Sequence, residues 1–247
     1  MTIGGEDLFF DIHSHILPCV DDGSKSLEES LELLSLMKNQ GITHVLATPH
    51  FYPQEDNLND FTEKISLAYV ELEKAVEGKD LPKIYLGCEM LYFAGIGHSE
   101  SLRELCLNGS EFLLLELTDF DIKPQLFEDL ELMHKNFGIT PIIAHIERYC
   151  KAKKYRKLLN FLKQNKIPAH INASSVFFSF FKRTIKKLIK NGDIYTVASD
   201  CHSVSERPPL VAQALNFIKN EYGVQYSLKL IENSNILLKK IVRSGDR

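Results

Sequence analysis

The 247-residue sequence predicts a single-domain α/β protein, with seven β/α repeats arranged as a closed or nearly closed barrel. Three observations predict it. Apolar runs of strand length alternate with stretches of 3.6-residue periodicity. The runs are short and apolar throughout, as parallel strands covered on both faces are. No internal repeat, low-complexity tract or linker divides the chain, so one domain over 1–247 is the simplest reading, and the length suits it.

The strand-like runs fall at 9–13, 44–48, 83–88, 112–117, 140–144, 168–171 and 195–198. The first helix opens at Ser26-Leu27-Glu28-Glu29, a capping-box pattern, and runs to Gln40-Gly41. Further helical stretches cover 58–77, 123–137, 154–164, 176–190 and 207–222. The basic residues of 182–190 interleave with apolar ones at helical spacing, which reads as a solvated helix face.

Composition excludes several classes. With 44% hydrophobic and 25% charged residues and a net charge of −4, the chain is ordinary globular protein. Lys and Arg form no dominant run, and nothing argues for a nucleic-acid partner. No apolar run approaches the ~20 residues of a spanning helix, so no membrane insertion is expected. The first residues lack the basic and apolar regions of a secretory signal. Cys19, Cys88, Cys106, Cys150 and Cys201 are odd in number and form no Cys-x-x-Cys, which fits reduced thiols and a cytoplasmic location.

The chemistry lies at the strand ends. His13 and His15 end the first run, His50 the second, Glu89 the third, Glu116 the fourth and His145 the fifth, while Asp200 and His202 follow the seventh. In a β/α barrel these ends converge on one mouth, and imidazoles with carboxylates there suit Mn, Fe or Zn. Unpartnered, so many buried ionisable groups would each cost several kcal/mol. His44, His98, His134 and His170 read instead as structural histidines.

These residues sit in motifs: Asp11-Ile-His-Ser-His, Val20-Asp-Asp-Gly, Ala47-Thr-Pro-His, Gly87-Cys-Glu, His145-Ile-Glu-Arg-Tyr and Ser199-Asp-Cys-His. Together they resemble the polymerase and histidinol phosphatase (PHP) superfamily over roughly 8–240. Within it they are most similar to the bacterial manganese-dependent protein-tyrosine phosphatases tied to capsule and exopolysaccharide synthesis. The resemblance implies a distorted, TIM-like seven-stranded barrel and a trinuclear centre of divalent cations, manganese first, with iron or zinc as alternatives. It implies one metal on His13, His15, Glu89 and Asp200, a second on Glu89, Glu116 and His145, and a third on Asp22, His50 and His202. It places phosphate-contacting arginines at Arg148 and Arg207. Two departures stand out: Ile146 replaces a usual proline, and Glu232-Asn-Ser-Asn stands where Asn-Pro is frequent.

The expected reaction is phosphotyrosine hydrolysis by metal-activated hydroxide, with the arginines clamping phosphate oxygens. The expected partner is a phosphotyrosine protein, a bacterial tyrosine kinase by the resemblance; the oligomeric state stays open. Asp21 is expected to assist beside Asp22 or to orient it. A small-molecule phosphatase such as a histidinol-phosphate phosphatase, a phosphodiesterase and an inactive scaffold are the rival readings. Cys201 and Arg207 also have the Cys-x5-Arg spacing of thiol phosphatases, but no glycine lies between them to form an amide cradle. Tyr92 and Phe93 are expected near the mouth, either stacking on a substrate ring or packing the loop.

Overall fold

A computed structural model describes residues 9–245 except 119. Its strands are β1 (Phe10–Ser14), β2 (His44–Ala47), β3 (His50–Phe51), β4 (Lys83–Leu86), β5 (Glu89–Leu91), β6 (Phe112–Glu116), β7 (Thr140–Ile143), β8 (His170–Asn172) and β9 (Thr196–Ala198). The helices are α1 (Leu27–Asn39), α2 (Leu58–Val76), α3 (Pro124–Phe137), α4 (Tyr155–Gln164), α5 (Lys182–Asn191), α6 (Val211–Tyr222) and α7 (Val224–Gly245). Every strand pairing is parallel. The sheets run β1-β2-β4, β3-β5-β6-β7 and β8-β9. Single parallel bridges join Ser14 to Cys201 and Ile143 to Ala169, where one sheet meets the next.

Local chemistry sets the breaks. The second expected strand stops at Pro49, which has no N–H for a ladder, and resumes as β3. The third breaks at Gly87, where a Cβ would lie 2.5 Å from Leu107 Cδ2; only glycine allows that approach. After both breaks, His50 pairs in register with Glu89. α1 begins as the capping box predicts: Ser26 accepts from the Glu29 amide, while the Glu29 carboxylate reaches back to the Lys25 amide.

Adjacent strand residues face opposite ways, and residues two apart share a face. Phe10, Ile12, Leu46, Phe112, Leu114, Ile142 and Ala198 form one buried cluster, and Leu237, Leu238 and Ile241 of α7 complete it. Val45, Ile84, Leu113, Ile143, Ile171 and Val197 face the other way, in the cluster that includes the helices' apolar residues.

The structure differs from expectation at three places. α7 was not foreseen, because Glu232-Asn-Ser-Asn breaks its apolar pattern. Two of those polar residues bind the sheet: Ser234 Oγ donates to the Phe10 carbonyl at 2.7 Å, and Asn233 Nδ2 to that of Tyr195 at 2.8 Å. The helix expected at 176–190 is a short 3-10 turn, Ser174–Phe177, followed by α5; between them Phe178 and Phe180 are exposed while Phe181 packs against the core. The last expected helix begins at Val211, not Arg207, since Pro208-Pro209 leaves 207–210 irregular.

Candidate metal centre

β1 carries His13, and His15 lies one residue past its end; both are buried. His13 Nε2 lies 3.1 Å from Glu89 Oε2 and 3.5 Å from Asp200 Oδ1. His15 Nε2 lies 3.4 and 3.5 Å from the same two oxygens. Glu89 also reaches the other way. Its Oε2 is 3.1 Å from His50 Nδ1 and its Oε1 is 2.9 Å from His145 Nε2, which lies 3.3 Å from Glu116 Oε1. On the outer side, Asp22 Oδ1 sits 3.3 Å from His202 Nε2 and 3.6 Å from His50 Nε2. All nine residues expected as ligands therefore meet at one place.

Donor atoms of eight of them form three groups, each within 4.8 Å: His13, His15, Glu89 and Asp200; His50, Glu89 and Glu116; and His15, Asp22, His50 and His202. The first matches the expected set. The other two differ: His50 stands where His145 was expected beside Glu89 and Glu116, so His145 falls outside the three groups although its Nε2 touches both carboxylates, and His15 joins Asp22, His50 and His202. Metal chemistry fits the arrangement. Glu89 Oε2, His50 Nδ1 and His202 Nε2 are buried without a hydrogen-bond partner, and such orphaned atoms are rare unless an ion or water serves them. His13 and His15 point Nε2 atoms at each other 3.0 Å apart. His145 (φ 31°) and Asp200 (φ 51°) hold left-handed backbone without being glycine, the strain that collects at functional sites.

Charge follows from this crowding. Burial works to raise Glu89 and Asp200, but the surrounding imidazoles outweigh it and hold both well below the usual carboxylate range. Burial likewise opposes protonation of His145, yet its hydrogen bonds to Glu116 and Glu89 lift it to about 9, and His15 is raised for similar reasons by Asp200, Asp21 and Glu89. His50 and His202 go down, through burial and then the neighbouring His15.

A second layer holds the ligands, as the outer nitrogens of ligating histidines are generally held. His15 Nδ1 donates to Asp21 Oδ2 at 2.6 Å, and Asp21 also accepts the His50 amide at 3.0 Å. The side-chain contacts of Asp21 thus reach the His15 ring and the His50 amide. The Tyr149 hydroxyl lies 3.1 Å from His145 Nδ1, and His13 Nδ1 lies 3.0 Å from His170 Nε2. Asn172 donates to Asp200. His170, Tyr149 and Asn172 were not foreseen as site residues. One signal was available: the sixth strand was the only one whose end had no assigned role.

Arg148 and Arg207 both reach Asp200 Oδ2, at 2.7 and 2.8 Å, with their side chains about two-fifths exposed. Cys201 is fully buried, and burial with Asp11 nearby pushes its thiol far up, so it presents no nucleophile beside Arg207. Tyr92 is buried with its hydroxyl on Asp129 at 2.8 Å, so it packs its loop rather than facing a substrate. Tyr52, by contrast, is half-buried and stacked on His50, ring centres 5.2 Å apart.

Fold and site together define a parallel α/β protein of the class that gathers histidines and carboxylates around metal ions at its strand ends. Within that class the chain belongs to the CpsB/CapC family of capsular polysaccharide synthesis, whose model matches residues 9–239. It is similar to the tyrosine-protein phosphatase CpsB of Streptococcus agalactiae serotype III, with 30% identity over 93% of this chain and 98% of that one. It is equally similar to the tyrosine-protein phosphatase YwqE of Bacillus subtilis, with 31% identity over 93% and 91%. Among solved structures, the metal-dependent tyrosine phosphatases YwqE from Bacillus subtilis and CpsB from Streptococcus pneumoniae share the fold, with TM-score 0.78, 24% identity and 94% of each chain covered. The histidinol phosphate phosphatase of Lactococcus lactis shares it more distantly, with TM-score 0.56, 13% identity, and 87% and 94% covered.

Proposed function

We propose that this chain is a metal-dependent tyrosine-protein phosphatase acting on phosphotyrosine proteins. The observation that carries the reading is Glu89, whose Oε2 lies 3.1 Å from both His13 and His50, imidazoles of different donor groups, while its Oε1 lies 2.9 Å from His145. Such a carboxylate suits adjacent cations. In this reading the three sheets form one distorted seven-stranded barrel and one domain. The centre takes three divalent cations, manganese first, on the nine residues His13, His15, Asp22, His50, Glu89, Glu116, His145, Asp200 and His202. The enzyme works in the cytoplasm on a bacterial tyrosine kinase that governs capsule or exopolysaccharide synthesis.

Bound divalent cations supply, at neutral pH, a nucleophile from water and a counter-charge for phosphate oxygens. The remaining work falls to the chain. Arg148 and Arg207, fixed on Asp200, offer planar guanidiniums to phosphate oxygens and meet the charge that grows on them. Asp21 fixes the His15 ring. Tyr52, stacked on His50, leaves a face against which a phenol can lie. The leaving phenolate, with a pKa near 10, needs little acid assistance, which fits an Asp21 already engaged by His15.

The test is a substrate panel. Phosphotyrosyl peptides should be hydrolysed well ahead of phosphoseryl peptides, sugar phosphates and histidinol phosphate. A preference for histidinol phosphate, the reading favoured by the more distant fold likeness, would overturn the protein substrate.

A further inference from the structure

The net charge of −4 hides a strong asymmetry. Residues 148–192 carry thirteen of the 29 Lys and Arg and no Asp or Glu, so the rest of the chain sets 33 acids against sixteen cations. All thirteen are exposed. Ion pairs within this sector, among the described residues, are limited to those of Arg148 and Lys163.

Part of the sector borders the metal centre. The turn carrying Arg148 runs through Lys151 to Lys153 and Lys154 at the start of α4. Lys151 Nζ lies 4.6 Å from the ring centre of Phe180, which bridges to Lys182 and Arg183 at the start of α5. Phe178 and Phe180 are 58% and 59% exposed, unusual for phenylalanine and more than loop packing requires. Cations and open aromatic faces thus form one rim, continuous with Arg148. The loop after β3, three strands away along the order β3-β5-β6-β7, is the opposite: Glu55 and Asp56 are exposed there, and Asp22 beside it is 64% exposed.

We propose that this rim is a docking surface for an acidic polypeptide segment flanking the target phosphotyrosine on one side only; the proposal rests on the phosphatase reading. Charge complementarity assigns the occupant. An anionic sheet such as a bilayer laid across the mouth would meet Asp22, Glu55 and Asp56 as well as the lysines. A peptide with its phosphotyrosine at the metals can lay its acidic side on Lys151, Lys153, Lys182 and Arg183 and avoid them. Phe178 and Phe180 give apolar or aromatic residues of the same segment a place to pack.

The experiment compares p-nitrophenyl phosphate with phosphotyrosyl peptides whose flanks are neutral, or acidic on one side or the other, using the metal-loaded full chain. Peptide binding is followed separately by fluorescence anisotropy. One acidic flank should raise kcat/KM roughly tenfold through KM, an advantage that fades above about 0.1 M salt. Lys151→Gln with Lys153→Gln, Lys182→Gln and Arg183→Gln should abolish the advantage and leave p-nitrophenyl phosphate turnover unchanged; Phe178→Ser should weaken peptide binding alone. Equal rates and equal binding for all flanks, with p-nitrophenyl phosphate still hydrolysed, would overturn the docking surface and leave the phosphatase reading standing. No hydrolysis of any ester, with charge-dependent binding of the acidic peptide retained, would do the reverse. Binding to phosphatidylglycerol vesicles or an oligonucleotide that the four substitutions abolish, without any peptide preference, would assign the rim to those partners and overturn the proposal.

Discussion

His13 Nδ1 lies 3.0 Å from Nε2 of His170, and both rings are fully buried. Burial first, and then the neighbouring imidazoles, hold His170 well below the ordinary histidine range, so it faces His13 as a neutral ring. With His170 Nε2 accepting, the His13 proton would sit on Nδ1 and the Nε2 lone pair would face Glu89 and Asp200, the arrangement a metal ligand needs. His170→Ala should therefore weaken manganese binding by about tenfold to a hundredfold, and His170→Gln, which keeps an acceptor, should recover part of it. Metal titration by calorimetry reads the difference; equal affinities would leave His170 a packing residue.

Metal loading should release protons. In the metal-free site the surrounding carboxylates raise both His15 and His145, His145 to about 9, and each must be neutral to ligate. His50 and His202 are lowered and release none. Affinity should rise as pH climbs toward about 9 and fall as it drops. Titration in two buffers of different ionisation enthalpy counts the protons; a heat that does not depend on the buffer would contradict the charge states.

Arg207→Ala and Arg148→Ala should mainly depress turnover, by ten- to a thousandfold for a group that meets transition-state charge, while bound metal stays intact. Each removes one of two cations on Asp200 Oδ2. Metal analysis beside steady-state kinetics separates the effects; lost metal with the rate per bound metal unchanged would make the arginines structural.

Cys201→Ser should keep a near-normal rate, because the thiol is buried and its ionisation suppressed. A variant that folds, retains its metal and yet loses all turnover would revive the thiol mechanism.

Ile241→Ala in α7 should cost about 2–5 kcal/mol, since Ile241 is fully buried in the cluster with Phe10 and Ile12. Denaturant unfolding measures it, and a change under ~0.5 kcal/mol would mean α7 is dispensable to that core.

The strands were legible because runs such as 112–117 and 140–144 are apolar at nearly every position, and eight of the nine candidate ligands because each ends or follows such a run. Asp22 was reachable only through family resemblance, since it sits on an exposed loop away from any strand end. His170 reads as structural because a lone histidine at a strand end usually is; only its contact with His13 distinguishes it. α7 escaped notice because Asn233 and Ser234 look like breakers until their carbonyl partners on Tyr195 and Phe10 are known. The helix expected over 176–190 starts only at Lys182, and Phe177, Phe178 and Phe180 before it are exposed; periodicity does not reveal which apolar residues are left in water.

The most direct measurement strips the purified protein of metal, checks by circular dichroism that it stays folded, and assays a phosphotyrosyl peptide before and after stepwise addition of manganese, iron or zinc. Activity should vanish on stripping and return in proportion to bound metal. Undiminished hydrolysis by the metal-free protein would contradict the account.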